Sequence, residues 1–281
     1  MRKVSFINMK GGVGKTTLST NVAHCLATRE NCKVLVVDID PQFNATQCFF
    51  SGDKYIEYLK NKGRTILDLF QENVANISTV DGVTGIKSFN YSDIKPIQIL
   101  ENLFMLPGNL NLYQIEISAG SGKENRLKKY LDEINKIYHF DYVIIDTPPT
   151  PSIWMISALL ASDYYIIPVK PDPLSYTGIE LLQNIIYQKK RDLDLNIKCM
   201  EIVLTIVEEG TIVFNKCMET IGKKKQLKDL LYKKYLKKRT DIAKFQLNQQ
   251  FILDQSKDDI KLCLTGIVQE MIKRINDDET K

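Results

Sequence analysis

The sequence predicts an α/β fold, a doubly wound and mostly parallel sheet with helices on both faces, taken as one domain over residues 1–281. Three observations carry that expectation. Short apolar runs of strand length alternate with stretches of helical periodicity; a glycine-rich loop joins the first run to the first helix; and two of the runs end in aspartate. Composition sets the bounds: of 281 residues, 44% are hydrophobic and 26% charged, as in an ordinary soluble chain, and the formal net charge is +4. No apolar run reaches the roughly 18–20 residues of a membrane span. The six cysteines form no C-x-x-C pair and there are two histidines, so neither a zinc site nor a disulfide framework is expected and a reducing cytoplasm fits. The N-terminus runs directly into the first strand, so no signal peptide is expected.

The elements follow in order. Lys3-Val4-Ser5-Phe6-Ile7 reads as a buried strand, and Leu18, Val22, Ala23 and Leu26 fall at helical spacing after it. Between them lies Lys10-Gly11-Gly12-Val13-Gly14-Lys15-Thr16-Thr17. Glycines allow a tight backbone curl with N–H groups aimed inward, and the helix N-terminus adds partial positive charge, so the stretch reads as a phosphate-binding loop. Lys15 is the residue for the β- and γ-phosphates and the Thr16 hydroxyl is the candidate Mg²⁺ ligand. Lys33–Val37 is a second strand, ending in Asp38-Ile39-Asp40-Pro41-Gln42, with carboxylates where open α/β sheets place their chemistry. Thr65 caps a short helix, and Asn76–Lys95 reads as loop with an edge strand. Leu103–Leu106 is a strand running into Pro107-Gly108, and Lys123–Tyr138 is an amphipathic helix with Leu127, Tyr130, Leu131, Ile134 and Ile137 inward and its lysines outward. Phe140–Ile145 is a strand ending in Asp146-Thr147-Pro148-Pro149, an acid placed to hold Mg²⁺ directly or through water. Tyr164–Val169 and Met200–Val207 are further strands, with a helix over Ile179–Lys190 between them.

Beyond residue 222 the charge becomes one-sided. Lys223, Lys224, Lys225, Lys228, Lys233, Lys234, Lys237, Lys238 and Arg239 fall in one stretch whose only acid is Asp229, while Leu227, Leu230 and Leu231 give it an apolar side. Such density fits a nonspecific DNA-binding patch, and equally a solvated lysine-rich face. Thr240-Asp241 is expected to cap a segment beginning at Ile242. Ile260, Leu264, Ile267, Val268, Met271 and Ile275 give the last helix an apolar stripe, read as core or dimer packing because the tail that follows is acidic.

One detail of the loop is diagnostic. The pattern G-x-x-x-x-G-K-[ST] requires glycine at position 9, where Met9 stands, and a second lysine, Lys10, heads the loop. The string Asn8–Thr17 therefore resembles the deviant Walker A loop of the ParA/MinD family of P-loop NTPases. Asp38–Thr46 is similar to that family's switch I, with Phe43 where glycine is common. Asn109–Leu112 resembles a conserved family segment, and Asp146–Pro149 resembles switch II. The resemblance covers most of the chain and is to the ParA/Soj-like partition ATPases, in the form without an N-terminal helix-turn-helix domain.

What it implies is a set of expectations. Lys10, Lys15 and Asp40 carry catalysis, Asp40 by positioning or polarising water; Lys10 through Thr17 hold the nucleotide; Thr16, Asp38 and Asp146 surround the metal. The cofactors are ATP and Mg²⁺. Lys10 reaches a partner's nucleotide in an ATP-dependent homodimer, which binds DNA nonspecifically on the nucleoid. A ParB-like protein stimulates slow hydrolysis, and no membrane contact is expected. The alternative is a MinD-like or other cargo-positioning ATPase that does not use DNA. A small-molecule ligase or kinase and a non-hydrolysing adaptor on the same scaffold are further rivals. An iron–sulfur relative is disfavoured, because no cysteine occurs between Cys48 and Cys199.

Overall fold

The computed structural model describes residues 1–71, 90–117 and 122–280. Its strands are β1 (Arg2–Phe6), β2 (Val34–Asp38), β3 (Ile97–Leu100), β4 (Leu103–Leu106), β5 (Tyr142–Asp146), β6 (Tyr164–Val169) and β7 (Lys198–Leu204). The helices of the first half are α1 (Lys15–Thr28), α2 (Asn44–Phe49), α3 (Gly52–Lys60), α4 (Ile66–Phe70), α5 (Leu112–Ile117) and α6 (Arg126–Tyr138). Those of the second are α7 (Ile153–Ala161), α8 (Ser175–Asp192), α9 (Ile212–Gly222), α10 (Lys225–Leu230), α11 (Thr240–Leu247) and α12 (Asp258–Glu279).

The strands form one sheet in the order β3-β4-β2-β5-β1-β6-β7, parallel throughout except for the β3–β4 pair. All residues of β2 and β5 are buried, as a parallel sheet covered on both faces requires. Alternation decides which face each side chain serves. Val4, Phe6, Val34, Val36 and Ile144 pack with α1 and with the stripe of α12. Leu35, Val37, Val143 and Ile145 pack with α4, α6 and α7, where Trp154 meets Phe70 edge-on at 4.8 Å. Ile167, Ile202 and Leu204 pack with α8, α9 and Leu227. Because β5 lies between β1 and β2, the chain winds outward in both directions from the centre, and a crevice opens at the carboxyl ends of these three strands.

Several elements differ from expectation. The helix read as Ile179–Lys190 begins at Ser175, and the strand read as Met200–Val207 ends at Leu204. Thr240 and Asp241 lie inside the first turn of α11, with Arg239 at the cap position. Lys123 is buried rather than outward, while Ile137 is 57% exposed. Thr65 does stand at the N-cap position of α4, where its N–H donates to the Asp68 carboxylate at 2.8 Å, with no hydrogen bond from the helix to its own side chain. The stretch read as loop with an edge strand, 76–95, shows no strand over its described part, 90–95, and the antiparallel β3 follows only at Ile97; residues 76–89 lie outside the described residues. The apolar stripe of α12 is core, with all six of its expected positions buried.

Candidate functional site

The loop between β1 and α1 is shaped by its glycines and tied down by its neighbours. Gly12 and Gly14 have φ of +69° and +77°, a region in which side chains are strained. A Cβ on Gly14 would also lie 3.5 Å from that of Thr205. The Thr205 hydroxyl donates to the Val13 carbonyl at 2.5 Å, and Asn8 Nδ2 donates to the Pro168 carbonyl at 2.7 Å. Gly14 caps α1 without a side-chain hydrogen bond, and no acid stands in the first turn. The free N–H groups at this end are therefore a site for anionic oxygen.

Beneath the loop, charged groups converge. Lys15 is buried, with Nζ donating to the Lys10 carbonyl at 3.1 Å; burial lowers its pKa, against the pull of Asp146 and Asp40. Asp146 is fully buried and accepts from the Thr16 hydroxyl at 2.7 Å and from Ser19 at 2.9 Å. Burial pushes Asp146 up to about 6, even though Thr16 stabilises its anion. Asp38 stands opposite Asp146 in the β2–β5 register and is equally buried. It accepts from the Thr46 amide at 2.7 Å and the Thr46 hydroxyl at 2.8 Å. Burial, followed by the charge of Asp146, raises its pKa well above the carboxylate range. Asp40 accepts from the Gln42 amide at 2.9 Å, and burial raises its pKa too.

An open cleft of about 990 Å³ lies over the loop, walled by Gly11–Thr17, Asp40 and Phe43 on one side and by Ala243, Gln246 and Leu247 of α11 on the other. Gln246 accepts from the Thr17 hydroxyl at 3.3 Å, which brings α11 against the loop. Hard oxygen donors on Thr16 and Asp146, with two buried carboxylates short of positive charge, are chemically suited to a divalent cation accompanying a polyphosphate. Lys10 stands apart. Its Nζ sits 2.9 and 3.0 Å from the carboxylate oxygens of Asp172, and its stem crosses Gly178 of α8.

Lys15, Thr16, Asp38, Asp40 and Asp146 are thus brought together, and Lys10 is held at the rim on its own chain. Several groups that shape this site escaped the sequence reading. Thr46 and Ser19 hold the buried acids, Asp172 engages Lys10, and Thr205 and Gln246 brace the loop. Thr46 closes a string that was singled out, but its partner could not be told without the fold.

The basic stretch lies along the β7 edge. Tyr232 N–H donates to the Ile202 carbonyl and Leu236 N–H to the Leu204 carbonyl, so the segment after α10 follows β7 as an irregular extra strand. Leu227 is buried, as its apolar spacing predicts. Five of the nine basic side chains have carboxylate partners. Lys223 pairs with Glu219 at 2.6 Å, Lys224 with Glu180 at 3.4 Å, Lys237 with Glu209 at 2.7 Å and Lys238 with Glu208 at 2.8 Å; Arg239 pairs with Asp259. Lys225, Lys228, Lys233 and Lys234 are exposed and form no ion pair among the described residues.

Comparison with known proteins agrees with this geometry. A family model described as an AAA domain matches residues 1–199. The sporulation initiation inhibitor protein Soj of Bacillus subtilis is 31% identical over 232 residues, covering 82% of this chain and 81% of Soj. A ParA family protein of Mycoplasma genitalium is 33% identical over 180 residues, covering 63% of this chain and 61% of that one. Among solved structures, a putative plasmid partition protein of Borrelia burgdorferi bound to AMPPNP superposes with a TM-score of 0.75 at 24% identity, covering 99% of both chains.

Proposed function

The chain belongs to the Soj and ParA family of P-loop ATPases, and from that premise we propose that its 281 residues act as one nucleotide-switched partition module. The observation that carries this reading is the division of labour between the two loop lysines. Lys15 is buried beneath the loop beside Asp40 and Asp146, whereas Lys10 stands at the rim with its charge outside the cleft.

In this reading the N–H groups of Gly11–Thr17 bind the phosphates of ATP, and Lys15 places its charge against the β- and γ-phosphates. Thr16 and Asp146, with Asp38 behind them, would hold Mg²⁺, which when bound neutralises phosphate charge and orients the chain of phosphates. Asp40, at the cleft wall and tied to the Gln42 amide, orients the attacking water. Lys10 leaves Asp172 and contacts the nucleotide of a second protomer, so the ATP state is a homodimer and each site is completed in trans. The dimer presents its basic edges to DNA, with Lys225, Lys228, Lys233 and Lys234 as the members of the stretch free to meet phosphates. Intrinsic turnover is slow, and a ParB-like partner accelerates it. The protein is then nucleoid-associated in the cytoplasm.

A MinD-like membrane reading is the rival, and α12 argues against it. The six residues of its apolar stripe are buried, leaving Leu262 as its one largely exposed large apolar residue, and its last turn carries acids paired with Lys198 and Arg2. Among the described residues no helix is long and apolar enough to cross a membrane.

The test is retention of nonspecific duplex DNA with ATP, ADP or no nucleotide at several salt concentrations. Retention that requires ATP and falls steeply with salt supports the reading. Retention indifferent to nucleotide, or none alongside ATP-dependent flotation with anionic vesicles, overturns it.

A further inference from the structure

Asp40 sits in a turn held by an unusual residue. Phe43 adopts φ of +42°, the left-handed region that a bulky side chain avoids, and its N–H closes the turn by donating to the Asp40 carbonyl at 2.8 Å. Something outside the turn must hold it there, and the candidate is a single side chain of α3. The ring of Tyr55 stacks on that of Phe43 with centroids 5.5 Å apart and planes 23° apart, and its hydroxyl donates to the Gly108 carbonyl at 2.7 Å.

Gly108 is fixed in turn. Its N–H donates at 2.8 Å to the Thr46 hydroxyl, which itself donates to Asp38. A Cβ at Gly108 would lie 2.8 Å from that of Phe43 and 2.9 Å from the Asp38 carboxyl carbon, so the backbone must approach bare. The contacts form a closed ring running from Asp38 through Thr46, Gly108, Tyr55 and Phe43 to Asp40. α3 has little packing duty to explain it: none of its residues is buried, and Ile56 and Leu59 on it are 52% and 37% exposed. What α3 turns inward is Tyr55, against Phe43 and Gly108, and Tyr58, against Phe50 and the Arg64 carbonyl; only Tyr55 meets the turn that carries Asp40.

We propose that Tyr55 is a positioning residue for hydrolysis, acting through Phe43 to hold the turn that carries Asp40. This rests on the reading of Asp40 as the group that orients water. Tyr55 lines the same cleft, but its contacts are to Phe43, Phe50 and Gly108 rather than to the loop. It preorganises the acid, so its loss lowers turnover without lowering nucleotide affinity.

The experiment pairs two readouts on wild type, Tyr55→Phe, Tyr55→Leu, Tyr55→Ala, Phe43→Gly and the Phe43→Gly/Tyr55→Ala double variant. Amide hydrogen exchange over residues 40–47 needs no turnover and tests the inference alone; ATP hydrolysis tests the reading beneath it. Tyr55→Ala and Tyr55→Leu are expected to speed exchange at Phe43 and Thr46 by about tenfold or more, with melting temperature nearly unchanged. They should also lower kcat by about tenfold, with ATP affinity within about twofold of wild type. Tyr55→Phe keeps the stack and stays within about threefold of wild type in kcat. Glycine adopts the turn unaided, so Tyr55→Ala should cost nothing more in the Phe43→Gly background. Unchanged exchange in Tyr55→Ala, equal losses in both backgrounds, or a fall in affinity and melting temperature matching the fall in kcat overturns the proposal. A wild type that binds ATP without hydrolysing it defeats the Asp40 reading instead, while the exchange result stands on its own.

Discussion

The carboxyl ends of β1, β2 and β5 and the edge beyond β7 both gather charge, and they handle it in opposite ways. At the strand ends Asp38, Asp146 and Lys15 are buried with few partners of opposite sign; desolvation raises both acids and lowers the lysine. A fold keeps such groups when a ligand is to complete them. At the β7 edge nine basic side chains lie on the surface, and five have already met a carboxylate of their own chain. Exposed pairs of this kind contribute little stability and are easily exchanged for other partners. The first region is a site by geometry, and the second is a surface whose free charge is only part of its apparent charge.

The largest effect expected from this contrast is at Lys15. Lys15→Ala should abolish ATP binding by equilibrium titration, a loss of about 100-fold or more, because a buried charge on the phosphates has no substitute in the cleft. Retained affinity would place the phosphates elsewhere. Asp40→Ala comes next. Turnover should fall by about 10²- to 10⁴-fold while ATP-bound dimer accumulates, read by single-turnover hydrolysis and light scattering. Normal turnover would remove Asp40 from the chemistry and leave it a turn residue.

The surface predicts smaller and graded effects. Replacing Lys225, Lys228, Lys233 and Lys234 together by alanine should reduce the slope of log affinity for DNA against log salt by about 3–4. Replacing Lys223, Lys237 and Lys238 should change that slope by about 1 or less, since those charges are already compensated. Equal slopes in the two variants would mean that the internal pairs open freely and that the whole stretch meets DNA.

Both regions were visible in the sequence, but not to the same depth. The loop, Asp40 and Asp146 were legible because backbone geometry dictates them: glycines at positive φ, a helix start, and acids at the ends of buried strands. The alternation of apolar runs likewise carried the sheet, and the stripe of α12, which pattern alone leaves as core or dimer packing, lies in the core. What stayed hidden depends on distant contacts. Asp172 meets Lys10 across 162 residues, and Gln246 meets Thr17 across 229. The pairing of the basic stretch with Glu180, Glu208 and Glu209 was equally out of reach, because no local pattern says which acids lie beside which lysines. The antiparallel β3 was missed for the same reason, its partner being chosen by β4 rather than by its own polar surroundings.

Glu201 of β7 sharpens the contrast from a third side. It is a fully buried acid away from the cleft, with neither oxygen hydrogen-bonded, and burial pushes it up to about 8 despite the nearby Arg274. Its ordinary value is 4.5, so between these values the folded chain keeps a proton that the unfolded chain releases. Stability therefore falls as pH rises through that window and levels off above about 8. In urea unfolding at successive pH values, wild type should lose ground to Glu201→Gln by up to about 1.4 kcal/mol per pH unit. A constant difference between the two would mean that Glu201 is ionised in the fold.

The central claim is that this nucleotide site is half of a two-chain site and that Lys10 serves the other half. Sedimentation velocity of wild type and Lys10→Ala, each saturated with a non-hydrolysable ATP analogue and Mg²⁺, tests it most directly. The account predicts a dimer for wild type and a nucleotide-bound monomer for Lys10→Ala. A variant that binds the analogue and dimerises as wild type does would contradict it, and would leave Lys10 as a partner of Asp172 alone.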